Sequence, residues 1–450
     1  MARERFASKT GYIMALAGSA IGLGNIWRFP YIMGEHGGAA FIVVYILCTL
    51  CISLPTMLCE IIIGRSARRG TYEAMVRLAP GTKWKYVGVL TVICAFVIVS
   101  YYSVVGGWSV DFLVRSCISG PVSSSGAEGL SMFGKMSSSI WEPIFAHTVF
   151  LGVTALIVRL GVKNGIEKFS KITIPILFLL MVVIAGYVLT IPGSGEGVKY
   201  LIKPDFSRLD LSCVAYAMGQ SFYSMSLGVG CVLIYSSYLR SEENIAASSA
   251  LTGVFDTFFA ILAGFAVMPA VFAAGLAPGS GPALVYETLP YIFAEMSENA
   301  PVISYIITIL FFVAILTAAL TSAISMFEVC VAHLVERKGV LRPAACTLIF
   351  AAAWVVGVLC SLSFGVLSDV HIFNRTIFGF CDVLTSNYLM VFGALAFAIF
   401  VGWKMKKDDV YKEFTNHGTV NVRLFKFLYF LVRWIIPVMI AVIFATNLII

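Results

Sequence analysis

Hydrophobic residues gather in long blocks along this chain, and polar residues are confined to the short stretches between them. Phe41–Gly64, "FIVVYILCTLCISLPTMLCEIIIG", is about 24 residues long with a single acid near its end. A helix needs about 20 apolar residues to cross the hydrocarbon core of a bilayer. Eleven such blocks predict membrane spans at about 11–36, 39–64, 85–117, 143–160, 167–191, 211–238, 244–275, 301–335, 343–361, 371–402 and 423–449. The pattern is that of an all-α polytopic membrane protein.

Two of the eleven blocks are interrupted. In the first, "GSAIGLGNIWRFP" (Gly18–Pro30) sets glycines, an asparagine, an arginine and a proline into an apolar helix pattern. In the sixth, "AMGQSFYSMSLGVGCVLIYSSY" (Ala217–Tyr238) passes Ser224, Ser226, Gly228 and Gly230 before the pattern resumes. Each interruption opens a group of five spans, and an odd number inserts the second group upside down. That arrangement predicts an inverted repeat with its site at mid-membrane, where both helices break. In lipid an unpaired N–H or C=O costs several kcal/mol, so an unwound stretch survives only where it lines a buried polar cavity. Helix N-termini there present N–H groups to a carboxylate, and freed carbonyls are hard donors for a small cation such as sodium. Glycines also serve close helix packing, and either interruption alone fits that role equally well. Both together, each with polar side chains at the break, favour a binding site.

Composition agrees with the membrane reading. Hydrophobic residues make up 59% and charged residues 12%, with mean hydropathy +0.92, whereas a soluble domain carries about 25% charged residues. The net charge of +7 is a topology signal rather than a nucleic-acid one. With the N-terminus in the cytoplasm, Arg65, Arg68, Arg69, Arg77, Arg159, Lys163, Arg337, Arg342 and Lys404 all fall inside, the positive-inside bias. The opposite loops are sparse in Lys and Arg, and an odd span count puts the C-terminus outside. The first block shows no cleavage signal and is read as a retained span. Pro278–Asn299 is expected to form a short helical cap, and Ser119–Ser139 a solvated connector. Residues 1–450 are read as one transmembrane domain, with repeats at about 11–191 and 211–402 and an extra helix at about 423–449. The eleven cysteines show no metal or disulfide spacing and are read as packing residues. His36, His147, His333, His371 and His417 form no metal motif, and no paired catalytic groups suggest an enzyme.

"GSAIGLGNIWRFPYIMGEHGGAAF" closely resembles the first-helix signature of the neurotransmitter:sodium symporters, the family of the bacterial leucine transporter. The likeness continues through "GQSFYSMSLGVG", "LTSAISMFE" and "DVLTSN", and so covers essentially the whole chain. It implies a leucine-transporter-like 5+5 inverted repeat with broken helices 1 and 6, and sodium-coupled symport of an amino acid. Carried over residue by residue, the resemblance implies two sodium sites. The first uses Ala20, Asn25, Ser224 and Asp256, with the substrate carboxylate as a further ligand; the second uses Gly18, Ile21, Ala318, Thr321 and Ser322. All are oxygen donors, as a hard cation requires. Animal members bind chloride near Tyr45, Gln220 and a serine where this chain has Ala260. The fixed charge of Asp256, an acid inside a span and so a functional residue by default, implies that no chloride is needed.

The substrate would be held by the amides of Leu23 and Gly24, the hydroxyl of Tyr102 and carbonyls around Ala20, Tyr223, Ser224 and Ser226. Gly22 stands where monoamine transporters place an aspartate, which favours a substrate bringing its own carboxylate. Its side chain would sit among Ile98, Tyr102, Tyr223, Val229, Ala323 and Met326, with Ser322 also counted as substrate-binding. Val229 and Ala323 replace larger or more polar residues of the leucine transporter, which points to a bulky hydrophobic or aromatic amino acid. Arg28 and Asp382 would pair across the outer vestibule, with Tyr102 and Phe222 as the lid. Arg3 and Glu336, with Phe6 and Tyr238, would close the cytoplasmic side; Phe6 replaces the family's usual tryptophan, which implies a looser latch. Expected partners are an amino acid, sodium and the bilayer of the plasma membrane, with no nucleic acid; oligomeric state is not legible. The alternatives are a sodium-dependent carrier of another small amine or zwitterion, and a non-transporting amino-acid sensor on the same fold.

Overall fold

The structure is a computed structural model that describes residues 4–120, 126–240, 242–275, 285–286, 288–296, 300–419 and 425–449. Among these residues, nine helices are continuous, apolar and long enough to cross a bilayer. They are span 2 (Ala39–Ala67), span 3 (Lys85–Ser119), span 4 (Trp141–Arg159), span 5 (Val162–Val188) and span 7 (Ile245–Ala273). Span 8 (Pro301–Lys338), span 9 (Arg342–Leu362), span 10 (Ile377–Lys404) and span 11, described from Phe425, complete the set. The two interrupted segments supply the rest. Span 1 runs as Lys9–Ala20, breaks, and resumes through a π-helical turn at Gly24–Arg28 into Phe29–Glu35. Span 6 is Leu211–Ser224 followed, after a break, by Cys231–Ser237.

The ends follow from local chemistry. Ser8 caps span 1 by accepting from the Gly11 amide at 3.0 Å, and its own hydroxyl donates to Glu167 at 3.0 Å. Asp210 caps span 6 by accepting from the Cys213 amide at 2.7 Å; both are favoured N-cap residues. Span 3 packs along spans 4, 8 and 9, while the first half of span 1 lies against spans 5, 7 and 8. Bulky apolar side chains such as Leu47, Ile93, Phe145, Leu179 and Phe258 point outward. In water such a surface would be a liability, whereas against lipid tails it is the required one.

Two expectations are corrected. Residues 371–376 do not begin span 10. They form a two-residue hairpin, His371–Ile372 against Arg375–Thr376, with Phe373 and Asn374 both at positive φ (50° and 60°), the geometry of a tight β-turn. Thr376 then caps the helix through the Gly379 amide at 3.2 Å. The stretch read as a solvated connector contains the helix Gly126–Ser138. Phe133 and Met136 share one helical face, and Phe133 packs edge-on against Trp108 at 4.9 Å and stacks on Tyr286 at 5.6 Å. Two apolar side chains at i, i+3 were enough to fold it down. The expected cap contains a helix at Thr288–Met296, while residues 278–284, 287 and 297–299 lie outside the described residues.

Candidate functional site

Both breaks have a local cause. The helix of span 1 ends at Ala20; Ile21 takes extended ψ (104°), and the chain bends through Gly22. A Cβ on Gly22 would lie 2.4 Å from Ser322 Oγ and 3.2 Å from Tyr102 Oη, so only glycine lets these polar groups meet the backbone. In span 6 the chain passes Ser226, Gly228 and Gly230 at φ of 52°, 80° and 85°, a left-handed path that halts an α-helix. A Cβ on Gly228 would sit 1.9 Å from the Met390 carbonyl, which shows how closely span 10 presses on the break.

Between the breaks lies a fully buried polar cluster. Asn25 Nδ2 donates to Ser224 Oγ at 2.9 Å and to Asp256 Oδ1 at 2.8 Å. Ser224 donates to Asp256 Oδ1 at 2.7 Å, and Tyr45 donates to Asp256 Oδ2 at 3.1 Å. Asn25 Oδ1 accepts from the Gly22 amide at 3.1 Å, which links the cluster to the break itself. Gln220 donates to the Gly24 carbonyl at 3.0 Å, and Ala260 brings no polar atom. Spans 1, 2, 6 and 7 thus converge on one carboxylate.

A second group of oxygens gathers on the other flank of span 1. Thr321 Oγ1 lies 3.4 Å from the Ile21 carbonyl and 2.9 Å from that of Ala318. Ser322 Oγ lies 3.5 Å from the carbonyls of Gly18 and Ile21. Those contacts to span 1 are at the long limit of hydrogen bonding. Several oxygens aimed at one another at this spacing are a donor set suited to a hard monovalent cation, by extension from the oxygen sites of calcium and magnesium.

The two groups flank a cavity of about 30 Å³ lined by Ala20, Gly22, Gly24, Ile98, Tyr102, Tyr223, Ser224, Ser226, Val229, Ser322, Met326 and Met390. Eleven of these twelve residues were predicted from the sequence. Tyr102 Oη accepts from the Leu23 amide at 3.2 Å, and Ser226 Oγ donates to the Ser19 carbonyl at 2.9 Å. The side chains of Leu23 and Ala323 are fully buried but do not line the cavity. Ala323, expected in the substrate pocket, is not among the residues that line it.

Above this cavity opens a vestibule of about 370 Å³, lined among others by Arg28, Tyr31, Tyr102, Tyr223, Tyr286, Phe378 and Asp382. Tyr223, not Phe222 as expected, lines the vestibule together with Tyr102. Consecutive helix positions point about 100° apart, and Phe222 turns instead to a neighbouring cavity with Tyr216, Val391 and Ile443. Among the described residues Arg28 and Asp382 do not pair. The Arg28 guanidinium lies over the Tyr223 ring at 4.7 Å, while Asp382 accepts from Tyr101 and Ser386, each at 3.1 Å.

At the far end of span 1, Arg3 lies outside the described residues, and Glu336 accepts from the Gly70 amide at 2.8 Å. Tyr238 donates to Glu328 at 2.6 Å, and Arg342 pairs with the same carboxylate at 2.5 Å. Phe6 is buried and packs edge-on against Tyr12, Tyr235 and Tyr238 with centroids 5.6, 5.9 and 6.4 Å away. The latch expected to be loose is tightly packed.

Sequence reasoning missed three residues. Glu60, fully buried in span 2, accepts from the Gly228 amide at 2.7 Å and so holds the break of span 6. Glu328 takes the bonds of Tyr238 and Arg342 just described. Both were findable, since an acid within a span is functional until shown otherwise. Met390 had no such signal: one methionine in an apolar helix looks like any other.

A family model described as the sodium:neurotransmitter symporter family matches residues 3–123 and 128–450. The chain belongs to this family. An uncharacterized sodium-dependent transporter, YhdH of Bacillus subtilis, is 37% identical over 98% of the chain and 96% of its own length. The sodium-dependent serotonin transporter of Drosophila melanogaster is 27% identical over 74% of the chain and 60% of its own length. Among solved structures, MhsT in complex with L-phenylalanine matches with TM-score 0.90 and 36% identity, covering 99% of this chain and 100% of that one. The protein is thus a multi-pass, sodium-dependent membrane transporter of the leucine-transporter fold, with five spans and an inverted five led by broken helices. Its family consists of transporters, not enzymes.

Proposed function

We propose that this transporter couples sodium entry to uptake of a hydrophobic or aromatic amino acid across the plasma membrane, without chloride. One observation carries the reading: Asp256, fully buried, is held by Asn25, Ser224 and Tyr45 at the meeting point of both breaks. A fixed carboxylate there supplies the negative charge that a sodium ion and its neighbouring carbonyls require. The N-terminus and the Phe6 latch lie on the cytoplasmic side, the Arg28 vestibule opens outside, and residues 1–450 work as one membrane domain.

Two sodium ions are assigned. The first is held by Ala20, Asn25, Ser224, Asp256 and the substrate carboxylate. Asn25 turns its Oδ1 toward the ion, giving up its bond to the Gly22 amide. The second is held by Gly18, Ile21, Ala318, Thr321 and Ser322. Coupling follows from the shared ligand: without substrate the first ion loses a donor, and without the ion the substrate carboxylate loses its counter-charge. Tyr102 and the Leu23 amide receive the carboxylate, and carbonyls of Ala20, Tyr223, Ser224 and Ser226 receive the ammonium. Ile98, Val229, Met326 and Met390 offer the side chain an apolar wall. The phenylalanine bound to MhsT supports this substrate class.

The test is a thermal-shift screen of the twenty amino acids in sodium chloride, sodium gluconate and potassium chloride, followed by uptake into sodium-driven proteoliposomes. Aromatic and large aliphatic amino acids should stabilise the protein in both sodium buffers alone. Stabilisation without concentrative uptake would make the protein a sensor, and a need for chloride would remove the role of Asp256.

A further inference from the structure

The end of span 9 and the start of span 10 lie together beside the vestibule. Here Cys360 Sγ and Cys381 Sγ are 3.9 Å apart. Both thiols are free, Cys360 buried and Cys381 partly exposed. The backbones are already tied at this level: Ser363 Oγ accepts from the Phe378 amide at 3.2 Å and donates to the Cys360 carbonyl at 2.7 Å. With the backbones tied beside them and the sulfurs 3.9 Å apart, side-chain rotation is the motion that would bring them to bonding distance. Cys381 immediately precedes Asp382, which lines the vestibule opposite Arg28 without touching it.

We propose that Cys360 and Cys381 are a redox-active pair whose disulfide bolts the mouth of span 10 to span 9 and keeps Asp382 from closing on Arg28. The gating half of this inference rests on the transport reading above; the bond itself does not. With a peroxide as oxidant, the Cys381 thiolate attacks one peroxide oxygen. The O–O bond breaks, giving a sulfenic acid and hydroxide. The Cys360 thiol then attacks the sulfenic sulfur, and water leaves as the S–S bond forms. Two thiols are oxidised, one peroxide is reduced, and two waters result. The positive-inside topology puts this pair on the outer side, where disulfides persist. Span 9 packs against spans 3 and 4, so the bond would tie the mouth of span 10 to that packed group.

The test uses the full-length protein treated with hydrogen peroxide and digested without reduction. Mass spectrometry should find the peptides of Cys360 and Cys381 joined in wild type, and not in Cys360→Ser or Cys381→Ser. Oxidised wild type should take up phenylalanine roughly tenfold more slowly, as expected when a closing step is blocked, with recovery in dithiothreitol and no effect in either variant. A second readout needs no transport: a cysteine placed at Tyr31 in the vestibule should stay open to maleimide in oxidised protein under sodium and phenylalanine, and become protected on reduction. If exposed Cys117 oxidises while no 360–381 link forms, the pair is not redox-active. If the link forms while uptake and Tyr31→Cys protection are unchanged, the gate lock is wrong. If reduced wild type takes up nothing, the transport reading fails while the joined peptides still establish the pair.

Discussion

Replacing Asp256 with asparagine removes a charge and leaves the shape almost intact. Oδ1 of the new side chain can still accept from Asn25 and Ser224, now 2.8 and 2.7 Å away. The loss falls on charge. A carboxylate oxygen about 2.5 Å from a bound ion attracts it by about 7 kcal/mol at an effective dielectric of about 20. Relaxation and the new Nδ2 group, which must turn from the Tyr45 hydroxyl or donate to it, bring the expected cost to about 2–4 kcal/mol. At about 1.4 kcal/mol per decade, sodium affinity should fall by roughly 30- to 1000-fold. The assay is binding of labelled phenylalanine to purified protein against sodium concentration, once in chloride and once in gluconate. Wild type should give the same curve in both. Asp256→Asn should shift far to the right in gluconate and recover part of the shift in chloride, which can lodge near Tyr45 and Gln220. An unshifted curve in gluconate would refute the reasoning, because the fixed charge would then have no part in holding the ion.

Other expectations follow from the same geometry. Gly22→Ala puts a methyl 2.4 Å from Ser322 Oγ and should lower both sodium and substrate affinity at least about tenfold, measured by the same titration. Gly228→Ala faces a positive φ and a carbonyl 1.9 Å away. It should cut the melting temperature sharply, by at least about 2–3 kcal/mol of stability, while Gly219→Ala in the helix just before, with nothing within 4 Å, should be nearly neutral. Glu60→Ala leaves the buried Gly228 amide unpaired and should cost about 1–3 kcal/mol, with Glu60→Gln recovering most of it in thermal unfolding. Met390 lies between the small cavity and the neighbouring one of about 400 Å³. Met390→Ala should therefore raise affinity for tryptophan relative to leucine, read by competition against labelled phenylalanine.

The apolar spans and the two interruptions could be read from the chain because each is a local property, whereas the two sets of oxygen ligands came only through the family resemblance. Twenty apolar residues cross a bilayer wherever they sit, and a left-handed glycine path or an acid in an apolar run announces itself without neighbours. Asp256 stood out for that reason, while Asn25, Thr321 and Ser322 were named only by the resemblance. Tertiary contacts alone decided which of Phe222 and Tyr223 lines the vestibule, because one helical step turns a side chain by about 100°. They also seated Met390 in the pocket, set Glu60 under Gly228 and Glu328 under Tyr238, and placed Cys360 beside Cys381 across 21 positions of chain. Periodicity says that a face is buried; only packing says against what.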